Sequence, residues 1–182
     1  MLRLLALGLL LTVAAVAFVK KKDQDNHFCI DCHLHQTHFR NMVEPPPRTL
    51  AAAHFRAQRR DGHPERCFTC HSGEGVWGWS QVTLLSAWDA ARWVAGDRHE
   101  PTAMRLPLTN DACLKCHAGD VRGHRGADET SKFHELADHR DVSTACVTCH
   151  VVHRPGERAK AFLDDQVVQG QCRRCHSDLG FD

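Results

Sequence analysis

Five copies of Cys-x-x-Cys-His punctuate this chain: Cys29-Cys32-His33, Cys67-Cys70-His71, Cys113-Cys116-His117, Cys146-Cys149-His150 and Cys172-Cys175-His176. Together they use all ten cysteines. Histidine is 15 of 182 residues, so its recurrence after every second cysteine has chance odds of about four in a million. Structural zinc calls for knuckles in pairs, and five is odd. A disulfide framework gives no reason for the histidines. The motif is that of c-type haem attachment, in which two thiols form thioethers to the vinyl groups and the following imidazole can ligate the iron. The sequence therefore specifies five covalently bound haem c groups, held by the ten cysteines, with His33, His71, His117, His150 and His176 as proximal ligands.

The motifs begin at residues 29, 67, 113, 146 and 172, only 38, 46, 33 and 26 residues apart. Five large flat apolar cofactors, rather than packed aliphatic side chains, then form the interior. The expected fold is mainly α and haem-cored, with short helices and irregular loops around closely spaced redox centres. The chain divides into an N-terminal anchor, 1–22, a four-motif region, 23–155, and a C-terminal extension with the fifth motif, 156–182. Pro45-Pro46-Pro47 reads as an extended spacer. Pro155-Gly156 breaks the chain, and Glu157 to Val168 reads as a short helix.

Haem changes the meaning of the formal charge of +1. Ten propionates and five ferric centres bring the total to about −4 oxidised and about −9 reduced. This accounts for 17 arginines against 6 lysines, because a guanidinium fork pairs with carboxylates in two places and stays charged when buried. Arg56-Arg59-Arg60 and Arg173-Arg174 are candidate propionate partners or solvated surface charge. No nucleic-acid-binding patch is implied.

Ten histidines remain for five distal positions: His27, His35, His38, His54, His63, His99, His124, His134, His139 and His153. A second imidazole closes an iron and suits electron transfer over small-molecule chemistry. His153 lies three residues after His150, too near to turn onto the same iron, so it reaches toward a neighbouring motif's haem. His54 and His134 precede Cys67 and Cys146 by thirteen and twelve residues, in stretches that read as helical. These three lead the distal candidates, followed by His139 and His124.

Leu4 to Val19 is uncharged and is followed by Lys20-Lys21-Lys22. Sixteen residues fall slightly short of a span, but snorkelling lysines can extend it. Ala15-Val16-Ala17 also fits a signal-peptide cleavage pattern, so an anchor and a cleaved signal are both readings. Because haem attachment to this motif occurs outside the cytoplasmic membrane, the haem part is expected on the periplasmic side. All four tryptophans fall between Trp77 and Trp93. Gln81 to Ala95 reads as a helix with Leu84, Leu85, Trp88, Ala91 and Ala95 at helical spacing. Its tryptophans mark either the lipid headgroup level or packing on haem faces. On a bilayer-lying helix Asp89 could accept a quinol proton; on an ordinary surface it is merely solvated.

An anchor leading quickly into Cys29-x-x-Cys-His33, then Val43-Glu44-Pro45 and His54 ahead of Cys67-Phe-Thr-Cys-His71, resembles the NapC/NrfH (NapC/NirT) family of membrane-anchored quinol dehydrogenases. The likeness resumes at His134, Cys146-Val-Thr-Cys-His150 and His153-Arg-Pro155, covering roughly 1–155. It implies oxidation of a membrane quinol and delivery of electrons to a periplasmic redox partner, with His54, His134 and His153 as distal ligands. Members commonly carry methionine two residues after the first proximal histidine; here His35 stands there, leaving His35, Met42 or an open site for that iron. The family's quinol-site lysine has no counterpart near Asp89, and the fifth motif lies beyond the usual four. Two other readings stand beside this one: an electron conduit within a larger or oligomeric assembly, or as a soluble shuttle, and a small-molecule reductase at a five-coordinate haem.

Overall fold

The computed structural model describes residues 1–32, 34–62, 66–99, 104–123, 134 and 144–178. It is mainly helical. Among the described residues the one extended pairing is an isolated antiparallel bridge between His150 and Leu163.

Helix α1, Leu2–Lys22, runs 21 residues, about 31 Å at 1.5 Å per residue, which matches a bilayer's hydrocarbon thickness. It is long and apolar enough to cross a membrane, and none of it is buried against the rest of the protein. The helix extends past the apolar run at both ends, so the sixteen uncharged residues understate its span. Its one central hydroxyl, Thr12, donates to the Gly8 carbonyl at 2.9 Å, satisfying within the helix a group that lipid could not. Lys20, Lys21 and Lys22 occupy the last turn, where positive charge complements the helix dipole.

Short helices follow: α2, Asn26–Ile30; α3, Gln36–Val43; α4, Leu50–Arg60; and α5, Phe68–His71. Helices α3 and α4 pack together. Buried Thr49 starts α4, its Oγ1 accepting from the Ala52 N–H at 3.0 Å, a cap of the kind that contributes about 1 kcal/mol. The longest element after the anchor is α6, Gly75–Val94, which begins a turn and a half earlier than Gln81. Helix α7 spans Asn110–Gly123, α8 Cys146–Cys149 and α9 Asp165–Arg173. Helix α8 touches both α7 and α9.

The expected helix from Glu157 to Val168 is not formed. A 3-10 turn at Arg158–Lys160 leads instead into Ala161 and Phe162, both left-handed with φ of 51° and 57°. That reversal pairs Leu163 with His150 and buries Phe162. Helix α9 starts only where the Asp164 carboxylate accepts from the N–H groups of Gln166 and Val167.

Side-chain packing explains little of this fold. Among the described residues only Met42, Thr49, Ala52 and Phe162 are buried. The accessible surface is 14007 Å², whereas a compact chain of 20.5 kDa exposes about 8,900 Å². The free-standing helix α1 supplies part of the excess.

Candidate functional site

Three imidazole pairs organise the region behind the anchor. His54 and His117 have ring centroids 5.9 Å apart, His71 and His153 6.1 Å, and His134 and His150 6.2 Å. Two imidazoles on opposite faces of one iron are separated by about 6 Å, given about 2 Å per metal–nitrogen bond and about 1 Å from nitrogen to ring centre. Ordinary aromatic contacts reach the same range, and His153 lies closer to His38, at 4.9 Å, than to His71. Each of the three pairs joins one motif histidine to one histidine outside any motif. The interplanar angles of 86°, 25° and 9° are all compatible, because each ring may rotate about the axial direction.

Hydrogen bonds set the tautomers. His54 Nδ1 lies 2.9 Å from the Leu50 carbonyl, and His150 Nδ1 lies 3.0 Å from the Ala161 carbonyl. A carbonyl only accepts, so Nδ1 carries the proton and Nε2 keeps its lone pair for a metal. For His54 the partner is one helical turn earlier on α4. For His150 it is supplied by the left-handed Ala161, which gives that strained turn a task. His153 is set by two backbone bonds beside it: Ala51 N–H donates to the Val152 carbonyl at 3.0 Å, and Gly156 N–H to the Arg48 carbonyl at 2.8 Å. Burial and the neighbouring His38, His71 and His35 push the His153 pKa down to about 4. Burial likewise lowers His71 and His134. In all three the surroundings disfavour the protonated form, the direction that metal ligation would require.

The cysteines form no disulfides, and cysteines of successive motifs interact electrostatically. Cys29 and Cys67 share a thiol hydrogen bond, which pulls Cys67 down to about 7 and drives Cys29 up. Burial, followed by the charge of Cys146 and a hydrogen bond to it, raises Cys113 to about 11. Cys70 interacts electrostatically with Cys116 and Cys113, and Cys149 with Cys172. The interacting cysteines thus follow chain order from the first motif to the fifth. Lys115 also bridges to Glu74 at 2.7 Å, tying α7 to the segment just before α6. Among the described residues no three or more His, Cys, Asp or Glu side chains are placed to hold a metal ion unaided. Two axial imidazoles plus two nearby thiols fit a porphyrin, which brings its own equatorial nitrogens.

Sequence reasoning missed Asn26 and Asn110. Asn26 Oδ1 accepts from the Cys67 backbone N–H at 2.9 Å, and Asn110 Oδ1 from that of Cys146 at 2.8 Å. Each stands three residues before the first cysteine of an odd-numbered motif, and the motif it grips reads Cys-x-Thr-Cys-His. That doubled pattern was the available signal.

Other candidates have different surroundings. His35 caps α3 in a left-handed conformation, φ 61°, with its ring 6.3 Å from His38, which in turn lies 4.9 Å from His153. Met42 is buried. His27 packs on Phe39, and exposed His99 pairs with Asp97, which also binds Arg92. Asp89, half-exposed on α6, is ion-paired with Arg105 at 2.8 Å. Among the arginines offered for propionates, Arg60 pairs with Asp61 and Arg174 with Gln171. His33, His63, His124 and His139 lie outside the described residues.

The tryptophans divide between two surroundings. Trp77 and Trp88 point outward with Leu84 between them, all at least 60% exposed. Trp79 turns to the anchor: its indole N–H donates to Asp23 Oδ2 at 3.0 Å, and Lys20 Nζ lies 4.9 Å from its ring centre. Next to this junction is a pocket of about 300 Å³ whose walls include Lys20, Asp23, Arg66, Phe68, Ser72 and Trp79. Comparison of the chain with family models, with curated proteins and with solved structures gives no match.

Proposed function

We propose that this chain is a pentahaem c-type cytochrome of the NapC/NrfH kind, anchored by α1 in the cytoplasmic membrane with its haem region on the periplasmic side. It passes electrons from membrane quinol to a periplasmic redox partner. The observation that carries this reading is the set of three motif-to-distal imidazole pairs at 5.9–6.2 Å. Bound haem supplies reversible one-electron chemistry at each iron. The protein supplies ligands and order: His54, His134 and His153 face His117, His150 and His71, and the bonds from Asn26 to Cys67 and from Asn110 to Cys146 tie successive motifs together.

The entry point follows from the anchor. Trp77, Leu84 and Trp88 form an apolar face on a helix tied by Trp79 to the end of α1, so that face lies at the headgroup level, where tryptophan is favoured. Oxidising a quinol withdraws two electrons and releases two protons. The pocket at the anchor end has a carboxylate, Asp23, two cations, and Phe68 from between the cysteines of the second motif. Asp23 is the nearer proton acceptor in this reading. Asp89 stands ten residues beyond Trp79, about 15 Å along the helix, and is shared with Arg105. Asp23→Asn is expected to slow quinol-dependent haem reduction in membranes by about 10-fold or more, within the range for loss of a general base. Reduction by dithionite is expected to be unchanged. Equal quinol rates for this variant and the parent, with Asp89→Asn slowed, would return the role to Asp89.

The fifth motif supports a second reading, a conduit within a larger assembly, because the helix that carries Cys172 packs on the one that carries Cys149 and so continues the row of motifs beyond the four-motif unit. Haem reduction by soluble donors alone, with none by quinol, favours that conduit.

A further inference from the structure

Asn26 and Asn110 do one job at two places. Asn26 reaches 41 residues along the chain to the backbone N–H of Cys67, and Asn110 reaches 36 residues to that of Cys146. Asn110 also donates through Nδ2 to the Thr144 carbonyl at 3.1 Å. Both recipients open a one-turn helix, where the backbone N–H has no partner within the helix. The asparagine amide oxygen acts as the cap, brought in from the preceding motif rather than from the adjacent residue. The surrounding sequences differ, Asp25-Asn-His-Phe against Thr109-Asn-Asp-Ala, so the shared geometry follows from the asparagine and not from general likeness.

We infer that Asn26 and Asn110 are positioning residues that lock motif one to motif two and motif three to motif four. They thereby fix the separation and tilt of the two macrocycles in each pair, and with them the electronic coupling inside the pair. This rests on the haem reading above. Neither asparagine lies among the ligands, and both act through the backbone of an attachment cysteine. The chain then comprises two matched two-haem units, with the fifth motif appended through the packing of α9 on α8.

The test uses the full chain matured with haem, and reads intact mass together with the exciton-coupled circular dichroism of the Soret band, which depends on distance and angle between neighbouring porphyrins. Asn26→Leu removes the acceptor. Asn26→Asp keeps it, and Asn26→Gln keeps the amide but displaces it by one methylene. The expected result is five haems in each protein, a Soret couplet changed in N26L and N26Q, and the parent couplet in N26D. Transfer within the pair slows by about 10-fold or more in N26L, as for other outer-shell changes around metal ligands. Where N26L does not accumulate, N26Q gives the decision. Five haems with the parent couplet in N26L or N26Q overturns the positioning role and leaves the haem reading standing. A parent chain without haem overturns the reading itself.

Discussion

Replacing His153 by alanine should convert one of the five haems from low spin to high spin and leave the other four unchanged. His153 faces His71 at 6.1 Å from a segment fixed by backbone bonds to Arg48 and Ala51, so its loss opens one iron without removing an element of the fold. Changing an axial ligand moves a haem potential on the order of 100 mV. In the proposed cytochrome the affected centre is the one held by Cys67 and Cys70, second in the order of motifs, so electron flow to all later centres should fall with it. His99→Ala is the matched control, because His99 is 92% exposed and bound to Asp97. A spectrum with no new high-spin component in H153A would remove the pairing. A spectrum altered equally by H99A would do the same.

Replacing residues 2–22 with a cleaved export signal should release the mature protein from membranes and abolish its reduction by quinol, while dithionite still reduces every haem. No buried contact holds α1 to the remainder of the chain, so its removal costs the fold little beyond the Asp23–Trp79 junction. Its loss ends the confinement that keeps a lipid-dissolved donor near the pocket, and the rate should drop by on the order of 100-fold or more. The outward face of Trp77, Leu84 and Trp88 gives residual, reversible binding of the kind an interfacial helix provides. A truncated protein that remains quantitatively in membranes would show that α6, not α1, is the anchor. Full quinol activity in solution would separate the anchor from the chemistry.

The proposed chemistry is read from the residues themselves, because covalent haem attachment imposes a fixed local motif. His54, His134 and His153 could be singled out because the motif histidines were already accounted for. Which distal imidazole faces which motif histidine was not legible: pairs such as His54 with His117 join segments far apart in sequence. The helix at Gln81–Ala95 was readable from its apolar spacing, though its start at Gly75 was hidden by glycines at 73, 75 and 78. The C-terminal turn was misread because Ala161 and Phe162 have no special preference for φ > 0. Their conformation follows from the Phe162 burial and the Ala161 carbonyl bond to His150, both tertiary effects. Asn26 and Asn110 escaped notice since a capping asparagine ordinarily serves its own helix, whereas here it serves the next motif.

The account stands most directly on the mass of the intact chain after maturation with haem, measured under denaturing conditions that strip every non-covalent ligand. A mass equal to the polypeptide plus five haem groups is the predicted result. A bare polypeptide mass, or one with metal lost on denaturation, would contradict it and return the five Cys-x-x-Cys-His motifs to zinc or thiol chemistry.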